Sequence, residues 1–481
     1  MSAHRSGPAP FWLSGKPTFG DESFKVTSPW DGALVAEVSV PTDAQVEQAV
    51  ADLWATRLEA QALPAHIRAG ALDHISGRIA ERAEEYAHLI TAENGKPLIW
   101  SRGEVARAVS TFRWAAEEAR RFSGDLQRLD TDPGGTGRLG IVRRFPRGPV
   151  LAIAPFNFPL NLVAHKLAPA LAVGAPILIK PAPATPLSAL LLGEIIAETA
   201  LPAGMVSVLP VANDKMSALV ADPRLPVISF TGSGPVGWAI KDQVPRKHVT
   251  LELGGNAAVV VCDDWADLPG AAQRIALFAN YQAGQSCISV QRVLVHADIY
   301  DTFVSELVSQ VEKLATGDPL ADGVQVGPVI NSAAAERIVN WVAEASENGA
   351  QVLTGGTRDG QTVAPTVVAQ VPPGSALATE EVFGPVLTVD RFYSVDEAFS
   401  MVNDSAFGLQ AGIFTADVQI AFRALRELEV GGVIVGDVPS YRADQMPYGG
   451  WKDSGVGREG VASAMRDLTE DRVLVLTGID L

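Results

Sequence analysis

The chain has 481 residues, 47% hydrophobic and 19% charged, and a formal net charge of −17. This is enough apolar material for two or three domains with sizeable cores, and the acidic balance, with no arginine-rich stripe, argues against a nucleic-acid surface. Two cysteines, and seven histidines without metal-ligand spacing, argue against a disulfide framework and a structural zinc site.

The first fifteen residues, MSAHRSGPAPFWLSG, contain no apolar core of a leader, and no run of eighteen apolar residues occurs. A cytoplasmic protein without membrane contact is therefore expected. Residues 43–122 read as mostly helical, capped by Thr42 or Asp43, with apolar Val46, Ala49, Val50 and Leu53 at helical spacing and a stop at Asn94, Gly95 and Pro97. On the last of these helices Arg107 lies opposite the stripe of Val105, Val109 and Phe112, which predicts a solvated side chain. The polar, glycine-rich stretch Ser123–Gly140 reads as an extended arm, and the tail DRVLVLTGIDL has the composition of a strand that pairs with it. Arg143, Arg144 and Arg147 are interrupted by Phe145 and Pro146 and read as a solvated face or an intersubunit strand.

From Gly148 short apolar strands alternate with helices: PVLAIAP, an Ala/Leu-rich helix, PILIKP, a helix from Pro186 to Ala200, VSVLP, and PVISF followed by GSGPVG. This alternation predicts a doubly wound parallel sheet with a ligand beyond the carboxyl ends of its strands. After Gly255 a second α/β series follows, with AAVVV, a helix near 265–282, VQRVLVH and a helix near 299–315. Two lobes with a cleft between them are expected.

Gly232, Gly234 and Gly237 spell G-x-G-x-x-G between a strand and a helix, and Glu252 ends the next strand. By the dinucleotide fingerprint the glycines hold a pyrophosphate and the acid binds a ribose hydroxyl. That pattern leaves two residues unexplained. Lys180 ends a buried strand, either to meet ribose or phosphate or to snorkel to the surface. Cys287 stands in YQAGQSCIS among small and polar neighbours, where a thiol is better placed to react than to pack.

Seven segments in order, APFNFP, IKPAPATP, FTGS, LELGG, GQSC, EEVFGP and PYGGWKDSGVGRE, resemble the aldehyde dehydrogenase superfamily from about residue 25 onward. The resemblance implies an α/β fold: a Rossmann-like NAD(P)-binding domain (1–123 and 147–254), an α/β catalytic domain (255–453) and a small β oligomerisation arm (124–146 and 454–481). It implies Cys287 as nucleophile, with Asn157 and the Cys287 backbone N–H holding the oxyanion. Glu252 becomes the general base for thioester hydrolysis, with Lys166 and Glu459 as a proton relay behind it. Lys180 and Glu381 become ribose contacts, Gly232 and Ser233 approach the pyrophosphate, and Phe383 flanks the nicotinamide; Phe156, which replaces the tryptophan of many relatives, and Leu253 are further coenzyme-site residues. Pro183 stands where NAD-preferring members carry glutamate, so either NAD or NADP is implied, with NAD modestly favoured.

PFNFPLN, GQSCISVQR and VPSYRADQMPYGG resemble the branch of lactaldehyde-like and phosphonoacetaldehyde-like dehydrogenases. This implies a small polar or anionic aldehyde as substrate, with Arg107 at a clamp position, His165 and Arg442 on the pocket wall, and Phe158 and Ser286 at substrate-side positions where clamp residues are expected. It also implies a homodimer or homotetramer. A CoA-acylating enzyme, to which the retained Glu252 is opposed, and a catalytically idle member of the same fold are the alternatives.

Overall fold

The structure, a computed structural model, describes residues 7–478. The helical lead-in comprises Asp43–Ala62, Ala65–Glu81, Ala83–Asn94 and Leu98–Arg121. Thr42 opens it with a reciprocal capping box to Gln45, and Gly95, at φ 78, closes the third helix in the left-handed conformation that a β-carbon disfavours.

These helices pack on the first sheet. Its strand order is Lys16–Thr18, Phe11–Leu13, Val206–Val208, Ile177–Lys180, Val150–Ile153, Val227–Thr231, His248–Glu252 and Gly455–Val456, and the five from Val206–Val208 to His248–Glu252 run parallel. The parallel part begins at Val150–Ile153, winds outward to one side, then returns to wind outward on the other. The strand order reverses between Val150–Ile153 and Val227–Thr231, so a crevice opens beyond their carboxyl ends.

The second sheet has seven strands in the order Gln351–Thr354, Thr366–Ala369, Val386–Phe392, Arg292–His296, Ala258–Val261, Gln410–Phe414 and Gly432–Val435, all parallel except the first pair. Val259 and Val261 face one apolar cluster while Ala258, Val260 and Cys262 face another. Both faces are covered by helices, which is why the sequence there is continuously apolar. Cys262 is one of these core residues, and burial pushes its thiol up to about 12.

A separate three-stranded sheet joins Asp125–Arg128, Arg138–Pro146 and Thr469–Thr477. The tail does pair with the arm, in register from Thr469↔Pro146 to Thr477↔Arg138, so its partner strand runs six residues past Gly140; Ile479–Leu481 lie outside the described residues. Arg144 is spent inside this sheet, on Thr469 Oγ1 at 2.9 Å and Asp471 at 3.0 Å. Residues 454–468, grouped with the arm by sequence, sit elsewhere: Gly455–Val456 pairs with Leu251–Glu252 and helix Val461–Asp467 packs on helix Asn161–Val173.

Two buried glutamates tie the lead-in to the sheet helices. Glu93 accepts from the N–H groups of Leu187 and Ser188, at the start of Leu187–Ala197. Glu104 accepts from Leu160 and Asn161 N–H at 2.9 and 3.1 Å, and its other oxygen pairs with Lys96 Nζ at 2.5 Å; both side chains are fully buried. Replacing Glu104 by alanine strands the Lys96 ammonium and two helix N–H groups, and is expected to lower stability by about 3–5 kcal/mol in denaturant unfolding.

Candidate active site

The site is built where the carboxyl ends of the first sheet's strands meet the amino ends of the second sheet's, since Gly255, Cys287 and Glu381 each precede a strand of the second sheet. Beyond Val150–Ile153, the Phe156 carbonyl accepts from Asn94 Nδ2 at 2.8 Å and Thr185 Oγ1 at 3.2 Å, which pins the turn carrying Asn157. Asn157 is buried, and one of its amide N–H groups is given to the Gln285 carbonyl at 3.0 Å. The second remains for another acceptor.

Cys287 reaches this position through a strained turn. After helix Leu268–Asn280 the chain passes through Gln282 (φ 42), Ala283 (φ 56) and Gly284 (φ 69). Left-handed backbone costs about 1–2 kcal/mol at each non-glycine residue. Two contacts hold it: Gln282 Nε2 donates to the Gln285 carbonyl at 2.8 Å, and Gly284 lies so close to the Gly384 carbonyl that a β-carbon would stand 2.0 Å from it. Gly255 similarly allows the Cys287 carbonyl to approach where a β-carbon would meet it at 2.4 Å. Among the described residues the Cys287 backbone N–H has no hydrogen-bond partner. Its Sγ lies 2.9 Å from the hydroxyl of Tyr448, a residue the sequence analysis did not single out. Burial pushes the thiol up to about 12, against the opposing effect of that hydroxyl.

Glu252 ends strand His248–Glu252, buried, with no hydrogen-bond partner on either carboxylate oxygen. Desolvation and the nearby negative charge of Glu459 raise its proton affinity well above that of an ordinary glutamate, with Arg442 and Lys166 pulling the other way. Glu459 is the paired acid: Lys166 Nζ lies at 3.2 Å and Arg442 Nη2 at 3.0 Å, and the two cations hold it down at about 2 despite burial. Lys166 also donates to Ser229 Oγ at 3.0 Å, beside a small cavity of about 10 Å³ bordered by Lys166, Ser229, Thr250 and Glu459 together with Pro169 and Leu468. That is room for one water.

Two of the expected pocket-wall residues, Arg107 and His165, meet at Asp444, another residue not anticipated from sequence. Arg107 is partly exposed but not free: its Nε and Nη2 both donate to Asp444 Oδ1, at 3.2 and 2.9 Å. His165 Nε2 stands 3.0 Å from the same oxygen, and burial with Arg442 nearby holds its pKa down to about 4, so the ring is neutral near pH 7. Phe158 is half-buried, its ring 4.1 Å from Lys96 Nζ and 5.9 Å from the Arg107 guanidinium carbon. Arg442, expected on the pocket wall, is instead buried inward on Glu459, with its guanidinium 3.8 Å over the Tyr448 ring. Asp444 was invisible in the sequence because a single acid in a loop carries no pattern.

On the coenzyme side, Lys180 is buried rather than snorkelling, 2.6 Å from Asn213 Oδ1, and desolvation lowers it to about 8. Pro183 is exposed in the following turn. Gly232 and Ser233 follow strand Val227–Thr231, and Ser233 stands at the N-cap of helix Gly234–Gln243 with no side-chain cap, which leaves the first N–H groups of the helix available to an anion. Gly237 serves packing, since a β-carbon there would lie 2.4 Å from Leu253 Cδ2; the buried Leu253 side chain is thereby committed to the helix–strand contact. Glu381 sits between helix Ala376–Thr379 and strand Val386–Phe392, not at a strand's end, and accepts from Gly255 N–H at 3.0 Å; burial raises it to about 7. Phe383, at φ 49, meets Phe156 edge to face with centroids 5.8 Å apart. An uncapped helix N-terminus at the point of strand reversal, a buried lysine on an adjacent strand end and an aromatic pair fit a dinucleotide.

The sequence profile of the Aldehyde dehydrogenase family matches residues 16–474. The chain belongs to that family. It is 42% identical over 456 residues to a 3-sulfolactaldehyde dehydrogenase of Priestia aryabhattai, covering 95% of each chain. Among solved structures, aldehyde dehydrogenase 21 of Physcomitrella patens in complex with the reaction product succinate superimposes with a TM-score of 0.96 at 42% identity, covering 98% of this chain and 99% of that one. The NADP-dependent glyceraldehyde-3-phosphate dehydrogenase of Bacillus halodurans, complexed with NADP, gives 0.94 at 33% identity, covering 98% and 100%. The chain is thus an aldehyde dehydrogenase that takes NAD or NADP. Among the described residues no helix of this dehydrogenase is long and apolar enough to cross a membrane.

The unpartnered Glu252 carboxyl has a stability signature. Its folded pKa lies above the unfolded value, so its contribution is fully present below the ordinary glutamate pKa and is lost as pH rises through the folded one. Glu252→Gln removes that liability, and in thermal scans its midpoint is expected to exceed the wild type's at pH 8, with the gap narrowing at pH 5.

Proposed function

We propose that this dehydrogenase oxidises a small anionic aldehyde to its carboxylic acid, releasing the acyl group to water. The observation that supports it best is the grouping of the Cys287 sulfur, a spare Asn157 N–H, an unbonded Cys287 backbone N–H and the unpartnered Glu252 carboxyl at the meeting of the two sheets.

Cys287, as thiolate, attacks the carbonyl carbon; the C–S bond forms and the carbonyl electron pair moves to oxygen. Asn157 Nδ2 and the Cys287 N–H stabilise that oxygen, the developing charge that such donors serve best. A dinucleotide held by Lys180, Ser233 and the N-terminus of helix Gly234–Gln243 would supply the acceptor for the hydride that must leave this carbon for a thioester to remain on Cys287. Glu252 in its carboxylate form then takes a proton from water as the water attacks, and the C–S bond breaks with its electron pair returning to sulfur. Lys166 and Glu459, with room for a water beside them, carry the proton onward.

Arg107 supports the anionic substrate. Asp444 engages its Nε and Nη2 and holds the guanidinium in one orientation, with Nη1 left to donate. The exposed apolar side chains of Leu126, Val473, Leu474 and Val475 on the arm sheet support its burial against a second copy, as a homodimer or homotetramer.

A panel of sulfonated, carboxylated and neutral aldehydes with NAD and NADP, followed at the reduced-nicotinamide absorbance with Cys287→Ser as the blank, tests the reading. Arg107→Met is expected to lower kcat/KM by about 10- to 100-fold for anionic aldehydes and little for neutral ones. Equal losses across the panel would remove the anionic assignment. Glu252→Gln turning over at the wild-type rate would remove the general base.

Pro183 stands, exposed, where NAD-preferring members carry a glutamate. Introducing one by Pro183→Glu is expected to cut kcat/KM with NADP by about tenfold or more relative to NAD, through repulsion of the 2′-phosphate.

A further inference from the structure

Tyr448 lies beyond every motif role assigned above, yet it touches the sulfur on which the proposed reaction runs. Its hydroxyl is 2.9 Å from Cys287 Sγ, the one side-chain hydrogen bond of that sulfur among the described residues. The ring is buried with Ile288 and Leu409, against which Cys287 packs. Its backbone is locked to Glu459 by a reciprocal pair, Tyr448 N to Glu459 O at 3.0 Å and Glu459 N to Tyr448 O at 2.7 Å. Over its face stands the Arg442 guanidinium, 3.8 Å from the ring centroid and itself held by Glu459 at 3.0 Å. A cation on the ring face draws electron density from the phenol and makes its O–H a stronger donor. Burial holds the phenol well above its ordinary pKa, so it keeps its proton throughout the working range.

We propose that Tyr448 is a catalytic residue whose hydroxyl donates a hydrogen bond to the Cys287 thiolate, making the half-buried sulfur a competent nucleophile and, later, a competent leaving group. The proposal rests on the reading of Cys287 as the nucleophile. When the thiol ionises, the S–H bond breaks, the proton passes to a solvent base and the electron pair stays on sulfur, where the Tyr448 O–H meets it. That pair forms the C–S bond with the aldehyde. In hydrolysis the C–S bond breaks, the pair returns to sulfur, and the same O–H receives the departing thiolate. Among the described residues no other side chain offers this half-buried sulfur a donor, and a charge-assisted hydrogen bond is among the strong ones.

The test is the pH dependence of iodoacetamide alkylation at Cys287 in the full chain, read by mass spectrometry, for wild type and Tyr448→Phe. The variant is expected to have its alkylation profile displaced upward by about one pH unit or more, with alkylation at pH 7 slower by about tenfold or more. The acid limb of kcat should move the same way. A fluorinated tyrosine at 448, with the same shape and a more acidic phenol, should shift the profile downward. An alkylation profile of Tyr448→Phe superimposable on wild type overturns the proposal, whatever happens to turnover. If that variant does not fold, the fluorinated protein decides alone, and an unmoved profile overturns the proposal equally. Alkylation needs no aldehyde, so a wild type that oxidises none of the panel sinks the functional reading while its profile still decides the role of Tyr448.

Discussion

The buried ion cluster of Lys166, Glu459 and Arg442 is the constraint on which the site depends. Lys166 comes from helix Asn161–Val173 of the first sheet's cover, Glu459 from the segment leading into helix Val461–Asp467, and Arg442 from a loop after the second sheet's last strand. Two cations and one anion in a dry interior stay there only when each is paired, because an isolated charge so placed costs several kcal/mol. The cluster therefore joins three segments and fixes where Glu252 sits above it. It also leaves one positive charge in excess, which faces the only acid in the group that has no partner.

Opposite behaviour of two neighbouring glutamates follows from that arrangement. Glu459 spends its oxygens on cations and stays ionised; Glu252, equally buried, has desolvation and a like charge acting on it and binds its proton more tightly. Pairs of titratable groups pushed apart by their surroundings are where acid–base roles divide. The same logic separates the two cysteines. Cys262 directly follows strand Ala258–Val261 and is closed into an apolar cluster, whereas Cys287 is carried on a loop with three successive left-handed residues before it and a hydroxyl at its sulfur.

Strain and close approach are concentrated where the two sheets meet. Gln282 and Ala283 hold unfavourable backbone, Phe383 does so on the facing loop, and Gly284 and Gly255 bring backbone within distances no β-carbon would permit. Such positions persist when the surrounding packing over-determines them, as the Gln282–Gln285 and Gly284–Gly384 contacts do here. The pocket wall shows the complementary case, in which Asp444 gathers Arg107 and His165 that the helix pattern treated separately.

Much of the fold was legible in the sequence, because periodicity and turn residues are local properties. The alternation after Gly148, the Thr42 cap, the Gly95 stop and the strand character of the tail all follow from neighbours a few residues apart. The residues of the candidate site were legible through motifs, each at an element's end or in a loop. What the sequence could not determine was partnership. Tyr448 and Cys287 are 161 residues apart, and Arg107 and Asp444 are 337 apart. Single residues without a repeat give no signal of such contacts, and helical spacing alone placed Arg107 in solvent. Only the tertiary structure decided which acid is paired, which thiol has a hydrogen-bond donor and which arginine faces inward, because proximity and desolvation arise from packing between segments and not from the order of residues within one.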